Sequence, residues 1–208
     1  MSKHISKAVI ARLPRYYRYL TDLQEEGIER ISSGALSERM HVTASQIRQD
    51  LNHFGEFGQQ GYGYNVAYLL SQIGEILGLD QMHHMIIIGS GRLGQALAHY
   101  RNFEKRGFKV VGMFDVNPDL CGSEVSGQLI RSMEDLPVFL KEHSVDMAAL
   151  TIPVECAQET AALVTRHGIR AIWNFSHAEL TVPEGVQVEN VHLSDSLMRL
   201  SFQMKNGG

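Results

Sequence analysis

The chain has 208 residues, 44% of them apolar, and a formal net charge of −4, which fits one or two soluble globular domains and gives no global sign of a nucleic-acid partner. No apolar run approaches the roughly 20 residues of a membrane span, and the opening residues lack the apolar segment and small-residue cleavage site of a secretory leader, so a cytoplasmic protein with no membrane partner is expected. Cys121 and Cys156 carry no paired motif, which disfavours a disulfide framework and a metal site.

The charge is unevenly spread. The first 20 residues hold Lys3, Lys7, Arg12, Arg15 and Arg18 and no acid, although residues 1–80 together carry 8 basic and 9 acidic side chains. A local basic face is therefore compatible with the sequence, a strongly basic domain is not. The first predicted helix covers 14–26, with Pro14 in its first turn, Leu20 and Leu23 on one side and Gly27 at its end. Next comes "SSGALSERMHVTASQIRQDLNHFGEFGQQGYGYN", residues 32–65. A short helix through Leu36 and Met40 meets a turn at His41-Val42, and Thr43 opens another helix, with Gln46 completing the pattern of a capping box. Ile47, Leu51 and Phe54 recur at intervals of four and three and face a core, so Ser45, Arg48, Gln49 and Asn52 point elsewhere. Two short helices joined by a tight turn, the second presenting amide and cationic side chains, suit entry into a major groove. Four glycines in "GEFGQQGYG", with Phe57 and Tyr62 as candidate anchors, suit a short hairpin wing. A helical hairpin with a solvated polar face and a glycine-rich loop yields the same pattern.

From residue 85 apolar strands alternate with helices: "MIIIG", a helix over about 92–105, "KVVGMFD", a helix near 134–143, "MAALTIP", a helix over 155–167, "AIWNF" and "VQVENV". Such alternation predicts a mostly parallel sheet with helices on its faces and ligands at the C-terminal strand ends. "IIIGSGRLGQAL", residues 86–97, places three glycines between a strand and a helix. Gly89 suits the tight turn, Gly91 the close approach of a pyrophosphate and Gly94 the packing of the helix, while Asp115, 21 positions after Gly94, suits ribose hydroxyls and disfavours a 2′-phosphate. NAD is thus favoured over NADP. The strand ends offer Thr151, Pro153, Asn174, Phe175, Ser176 and His177, of which His177 is the one plausible proton donor for hydride-transfer chemistry. The closing helix "SDSLMRLSFQM" carries Leu197, Leu200 and Met204 on one stripe, widened by Met198 and Phe202. That stripe suits either a second subunit or a helix folded back on its own sheet.

"RLPRYYRYL", "IRQDLNHFGEFG", "GYGYNV", "GSGRLGQAL", "FDVNPD", "TIPVECAQ", "IWNF" and "VPEGV", in that order, resemble the Rex family of redox-sensing transcriptional repressors over nearly the whole chain. The resemblance implies an α/β chain in three parts: a winged-helix DNA-binding domain over 1–80, a Rossmann-like NAD(H)-binding domain over 81–191 and a swapped dimerisation helix over 192–208. The helix-turn-helix region would span about 17–56, its recognition helix 44–54, and the wing 55–64. The family's behaviour implies no enzymatic activity, NADH/NAD⁺ as regulatory ligand, and a homodimer that binds pseudo-palindromic operator DNA with NAD⁺ or free and leaves it with NADH.

Carried over by position, Ser45, Gln46, Arg48, Gln49, Asn52, Gln59, Gln60 and Tyr62 would meet DNA. Gly89, Ser90, Gly91, Arg92, Leu93 and Gly94 would form the cofactor loop, with Asp115 at the adenosine ribose. Tyr100, Thr151, Ile152, Pro153, Asn174 and Phe175 would lie near the nicotinamide half or the dimer interface, and Arg12 and His192 at the switch. The chain departs from the family pattern at Gln49 and at Gln59 and Gln60, where basic residues are usual, at Arg92, where Asn is common, and at His192, where Asp is usual. The first two departures bear on DNA affinity and operator preference. The last two bear on the nucleotide response, and an imidazole at 192 in place of an anion for a cation such as Arg12 predicts weaker or pH-dependent coupling. Two other classes share these elements: a small NAD-dependent oxidoreductase using His177, and a nucleotide- or CoA-binding module without DNA activity.

Overall fold

The computed structural model describes residues 6–52, 58–59 and 63–206. The chain divides into two units, Met1–Gln81 and Met82–Gly208.

In the first unit helix α1 (Lys7–Glu25) is capped by Ser6, whose hydroxyl accepts from the Val9 amide. Pro14 therefore sits inside the helix and not in its first turn. Sequence alone missed the earlier start because Pro in a helix interior costs about 3 kcal/mol. Val9, Leu13, Tyr16, Leu20 and Leu23 form one buried stripe that spans the proline, and at roughly 1.5–3 kcal/mol per buried apolar side chain it outweighs that penalty. Strand β1 (Arg30–Ile31) leads into α2 (Ser33–Met40), which ends at His41 in the left-handed conformation, φ 52°. Helix α3 (Ala44–Asn52) follows, then β2 (Gly58–Gln59), β3 (Gly63–Asn65) and α4 (Val66–Ile76). β3 pairs antiparallel with both β1 and β2. Ile47 and Leu51 of α3 join the stripe of α1 and Leu69 and Ile73 of α4 in one core. Phe54, Phe57, Gln60 and Tyr62 lie outside the described residues.

The second unit is a seven-stranded sheet in the order β10-β9-β8-β4-β5-β7-β6. Its strands are β4 (His83–Ile88), β5 (Phe108–Asp115), β6 (Glu124–Val125), β7 (Gln128–Ser132), β8 (Met147–Leu150), β9 (Ala171–Asn174) and β10 (Gln187–Asn190). All neighbours are parallel except β6, which runs antiparallel to β7. Helices α5 (Arg92–Ala98), α6 (Leu136–Glu142) and α7 (Val154–Arg166) connect the strands, and α8 (Leu193–Asn206) ends the fold. Ile86, Ile88, Ala148 and Leu150 pack on one face with α6 and α7, while Met85, Ile87 and Ala149 pack on the other with Leu97 of α5. This alternation is the period of two expected of a sheet buried on both sides.

Two features differ from the sequence expectation. α5 stops at Ala98 and not near 105, because the chain turns at His99 and Tyr100 and brings Phe103 edge-on against Trp173, ring centroids 5.6 Å apart. β6 and β7 have no counterpart among the predicted strands: they form a hairpin through Ser126 and Gly127, both at positive φ, and only Val125 and Ile130 are buried along them. So short and polar a pair shows no apolar run to read.

Candidate DNA-reading face and dinucleotide cleft

Ser45, Arg48, Gln49 and Asn52 lie exposed on the outward side of α3 while Ile47, Asp50 and Leu51 are buried beneath them. Asp50 is fully buried and gathers four donors. Arg12 gives it two bonds of 2.7 Å, from Nε and Nη2, the Tyr16 hydroxyl one of 3.0 Å and the Gln46 amide nitrogen one of 2.8 Å. Burial pushes the Asp50 carboxyl up, but the bonds from Arg12, Gln46 and Tyr16 outweigh it and hold the group below the ordinary carboxylate range. The same contact with Asp50 raises Arg12, and burial, with the Asp50 bond behind it, raises the Tyr16 phenol.

Two expectations are corrected by this hub. Thr43 does cap α3, its Oγ1 accepting from the Gln46 amide at 3.1 Å, but the Gln46 side chain turns to Asp50 instead of closing a reciprocal capping box. Arg12 is not a cation lacking an anion, since Asp50 of its own unit holds it bidentately. Arg48 is steered by Ser33, whose hydroxyl accepts from Nη1 at 3.0 Å. Asp50 and Ser33 were missed by sequence reasoning. A signal for Asp50 existed: a carboxylate three residues after Ile47 falls on the inward face of α3, where a charge needs a partner.

In the second unit the glycine loop closes on itself at one point and opens at another. A Cβ on Gly94 would run into the carbonyl oxygen of Gly89, and one on Gly89, φ 94°, would meet the Thr151 carbonyl oxygen at 2.5 Å. Gly91 differs, for a Cβ there meets nothing within 4 Å. Gly91 is also the N-cap of α5, with no side chain bonded to that helix start. The space beside it is a cleft of about 310 Å³ bordered by Gly89, Gly91, Asp115, Thr151, Ile152 and Pro153. Open backbone at an uncapped helix start fits a pyrophosphate, whose oxygens accept from free amides. Thr151 does not point its hydroxyl at a ligand but donates it to the Gly89 carbonyl at 2.6 Å, pinning the loop. Asp115 ends β5 at the cleft; one oxygen accepts from the Ser90 amide and the other from the Asn117 amide at 2.8 Å. Each of its oxygens keeps lone-pair capacity beyond these bonds. Val116, 82% exposed, and Cys156 also border the cleft and were missed; both lie inside quoted motifs, "FDVNPD" and "TIPVECAQ", but neither residue type points to a ligand by itself.

A family model described as "Putative DNA-binding protein N-terminus" matches residues 4–52, and one described as "CoA binding domain" matches residues 80–178. The redox-sensing transcriptional repressor Rex of Thermoanaerobacter sp. is 53% identical over 200 residues, 96% of this chain and 89% of the relative. The chain belongs to the Rex family of redox-sensing transcriptional repressors. The Rex of Clostridioides difficile is 50% identical over 206 residues, 99% of this chain and 98% of the relative. Among solved structures, RSP, described as a Rex-family repressor, superposes with a TM-score of 0.90 at 49% identity, covering 99% of this chain and 96% of its own. RSP in complex with beta-NAD⁺ and operator DNA gives 0.91 at 51% identity, with 99% and 94% covered. The α/β reading, an N-terminal DNA-binding domain followed by a Rossmann-like sheet, is that of the Rex family.

The Rex-derived site assignments fall into two groups in the second unit. Gly89, Gly91, Asp115, Thr151, Ile152 and Pro153 border the cleft; Arg92 and Leu93 are exposed at the start of α5, and Ser90 is buried with its hydroxyl on the Phe114 carbonyl at 3.3 Å. Tyr100, Asn174 and Phe175 do not border it. Tyr100 packs edge-on against Phe103 at 4.8 Å and borders a separate hollow with His99 and Lys109. Phe175 is buried against Trp173 at 4.6 Å. Asn174 spends its amide on the Ala178 carbonyl and the Asn190 side chain and its oxygen on Ser176, so it braces two strand ends. His192 contacts His177, Nδ1 to Nδ1 at 2.9 Å. Among the described residues no helix is long and apolar enough to cross a membrane.

Proposed function

We propose that the chain is a cytoplasmic, non-enzymatic repressor that binds pseudo-palindromic operator DNA when free or occupied by NAD⁺ and leaves it when NADH binds. Residues 1–80 form the winged-helix DNA-binding domain, 81–191 the NAD(H)-binding domain and 192–208 the dimerisation helix. The observation that carries the reading is the pairing, in one chain, of a polar exposed face on α3 with a glycine-loop cleft ending in Asp115. RSP, crystallised with beta-NAD⁺ and operator DNA and separately with beta-NADH, supports the same pairing of ligands.

Ser45, Arg48, Gln49 and Asn52 meet bases or phosphates in this reading, with Gln59, Gln60 and Tyr62 on the wing and Gln46 set by Asp50. The dinucleotide lies along Gly89 to Gly94 with Asp115 on its ribose, and when bound its nicotinamide supplies the charge difference between oxidised and reduced forms. Against hydride-transfer catalysis stands the engagement of His177 with His192. The homodimer reading rests on α8, none of whose side chains is buried, with Phe202 and Met204 70% and 76% exposed. So broad an unpartnered apolar stripe suits a second copy of the chain.

The test is a mobility shift with an operator selected from random duplexes, at one stated salt concentration, with NAD⁺, NADH or neither. Retention with NAD⁺ or no nucleotide and loss of the complex with NADH are expected. NADH turnover with a hydride acceptor, or a complex indifferent to NADH, would refute the reading.

A further inference from the structure

His177 and His192 approach each other Nδ1 to Nδ1 at 2.9 Å, with ring centroids 5.2 Å apart and planes 20° from parallel. One residue braces both backbones. The Asn174 carbonyl accepts from the Val191 amide at 2.8 Å, its amide nitrogen donates to Asn190 Oδ1 at 2.8 Å and to the Ala178 carbonyl at 2.8 Å, and its side-chain oxygen accepts from Ser176. His177 is held in the left-handed region, φ 62°, inside that braced turn. Immediately after His192 begins α8, whose own side-chain bonds are internal: Ser196 to the Leu193 carbonyl and Asn206 to the Phe202 carbonyl. Among the described residues the imidazole pair is thus the side-chain hydrogen bond that joins the root of α8 to the Rossmann unit.

A bond between two Nδ1 atoms needs one proton and one lone pair. With both rings neutral, one is the Nδ1–H tautomer and the other the Nε2–H tautomer. A first added proton goes to the free Nε2 of the donor ring, and the bond survives as a charge-assisted one. A second must go to the accepting Nδ1 itself. That proton abolishes the bond and leaves two cations stacked against each other. The charged residues on the elements that meet here are Glu179 and Glu184 on the loop, Glu189 on β10, and Asp195, Arg199 and Lys205 on α8. Among the described residues no ion pair within 4.0 Å joins a carboxylate to either imidazole, so no direct salt bridge offsets the second charge.

We propose that His177 and His192 form a proton-binding latch that fixes how α8 leaves the Rossmann unit, intact with up to one added proton and released by the second. A repressor built this way responds to acid as well as to nucleotide. The consequence for assembly rests on the proposed pairing of two chains through α8; the latch itself does not.

Full-length wild type, His177→Asn and His192→Asn test it, since Asn tolerates positive φ and removes the titrating ring. At about pH 8, ¹H–¹⁵N correlation of the imidazoles should give one Nδ1–H and one Nε2–H ring, within the range where histidine is ordinarily neutral. Two Nε2–H rings would overturn the latch. Between about pH 8 and about pH 4.5, low enough for a second proton to enter against the charge of the first, the wild-type dimer should weaken by about tenfold or more in sedimentation equilibrium, while both variants stay flat near the acid wild-type level. A wild type without this change, or variants that keep it, would overturn the proposal. If the chain is monomeric throughout, the dimer reading fails, and hydrogen exchange of residues 193–200 decides the latch. Acid should then speed exchange beyond its intrinsic change by about tenfold in wild type and not in His177→Asn, and equal behaviour would refute it.

Discussion

The proposed DNA-reading face and the proposed dinucleotide cleft are held in opposite ways. α3 is positioned by side chains: one buried carboxylate, Asp50, binds Arg12 and Tyr16 of α1 and Gln46 of α3 itself. The glycine loop is positioned by the lack of side chains, with Gly94 against the Gly89 carbonyl and Gly89 against Thr151. A charged hub fails when one partner or the pH changes. A backbone contact fails when an atom is added. The two regions should therefore break under different substitutions, and six variants set out the contrast in falling order of effect.

Gly94→Ala should be the most damaging. The added methyl runs into the Gly89 carbonyl and the Thr151 hydroxyl bonded to it, so a cost of about 3 kcal/mol or more, at the upper end of overpacking, is expected in thermal unfolding of the Rossmann unit. Gly91→Ala is its control: the methyl enters open space, so the melting temperature should hold while NADH affinity falls in calorimetry. Equal loss of stability in both variants would show that the loop is not divided into a closed and an open glycine.

Asp50→Asn should cost about 2–3 kcal/mol in denaturant unfolding of the first unit, because Arg12 is left charged without its partner, though part of its side chain still reaches water. The folded Asp50 carboxyl is held below its unfolded value, so its contribution is complete above the unfolded carboxylate range of about 3.9 and is lost as the pH falls through the folded value below it. The acid limb of the stability curve should accordingly flatten in Asp50→Asn. An unchanged acid limb would mean the hub contributes no proton linkage.

Asp115→Ala should weaken NADH binding by about 1.5–3 kcal/mol, the worth of bonds to a charged acceptor. It removes the acceptor of the Ser90 amide as well as the proposed acceptor of the ribose. Calorimetry with NADPH alongside NADH should show the gap between them narrowing; an unchanged NADH affinity would place the ribose elsewhere.

The smallest effect is expected on the reading face. Arg48→Ala or Asn52→Ala should cost about 1–2 kcal/mol for the selected operator and less for random duplex. Equal losses on both would remove the base-reading role.

How much of this was legible in the sequence follows the same division. The glycine loop and Asp115 were readable because a close backbone approach leaves glycines at fixed spacing after a strand. Ile47 and Leu51 were readable from periodicity, and so was the outward set at 45, 48, 49 and 52. Arg12–Asp50 was not, since 38 residues separate partners that only tertiary packing brings together. The same holds for His177 and His192, which meet because β9 and β10 lie side by side. Pro14 misled in a different way: a local penalty was visible, whereas the buried stripe that outweighs it depends on the whole core. Asn174 and Phe175 stand at a strand end, where ligands bind, yet their side chains turn to bracing and packing.

The central claim, that the cleft and the reading face are two sites on one switch, is tested most directly by reciprocity. NADH affinity is measured by calorimetry on the free protein and on the protein saturated with operator, and operator affinity is measured with and without saturating NADH at the same salt concentration. Linkage requires the two ratios to be equal, and a near-complete switch requires a ratio approaching roughly 10⁴. Operator should weaken NADH binding by the same factor as NADH weakens operator binding, with NAD⁺ giving a ratio near one. NADH binding equally well to free and operator-bound protein would contradict it.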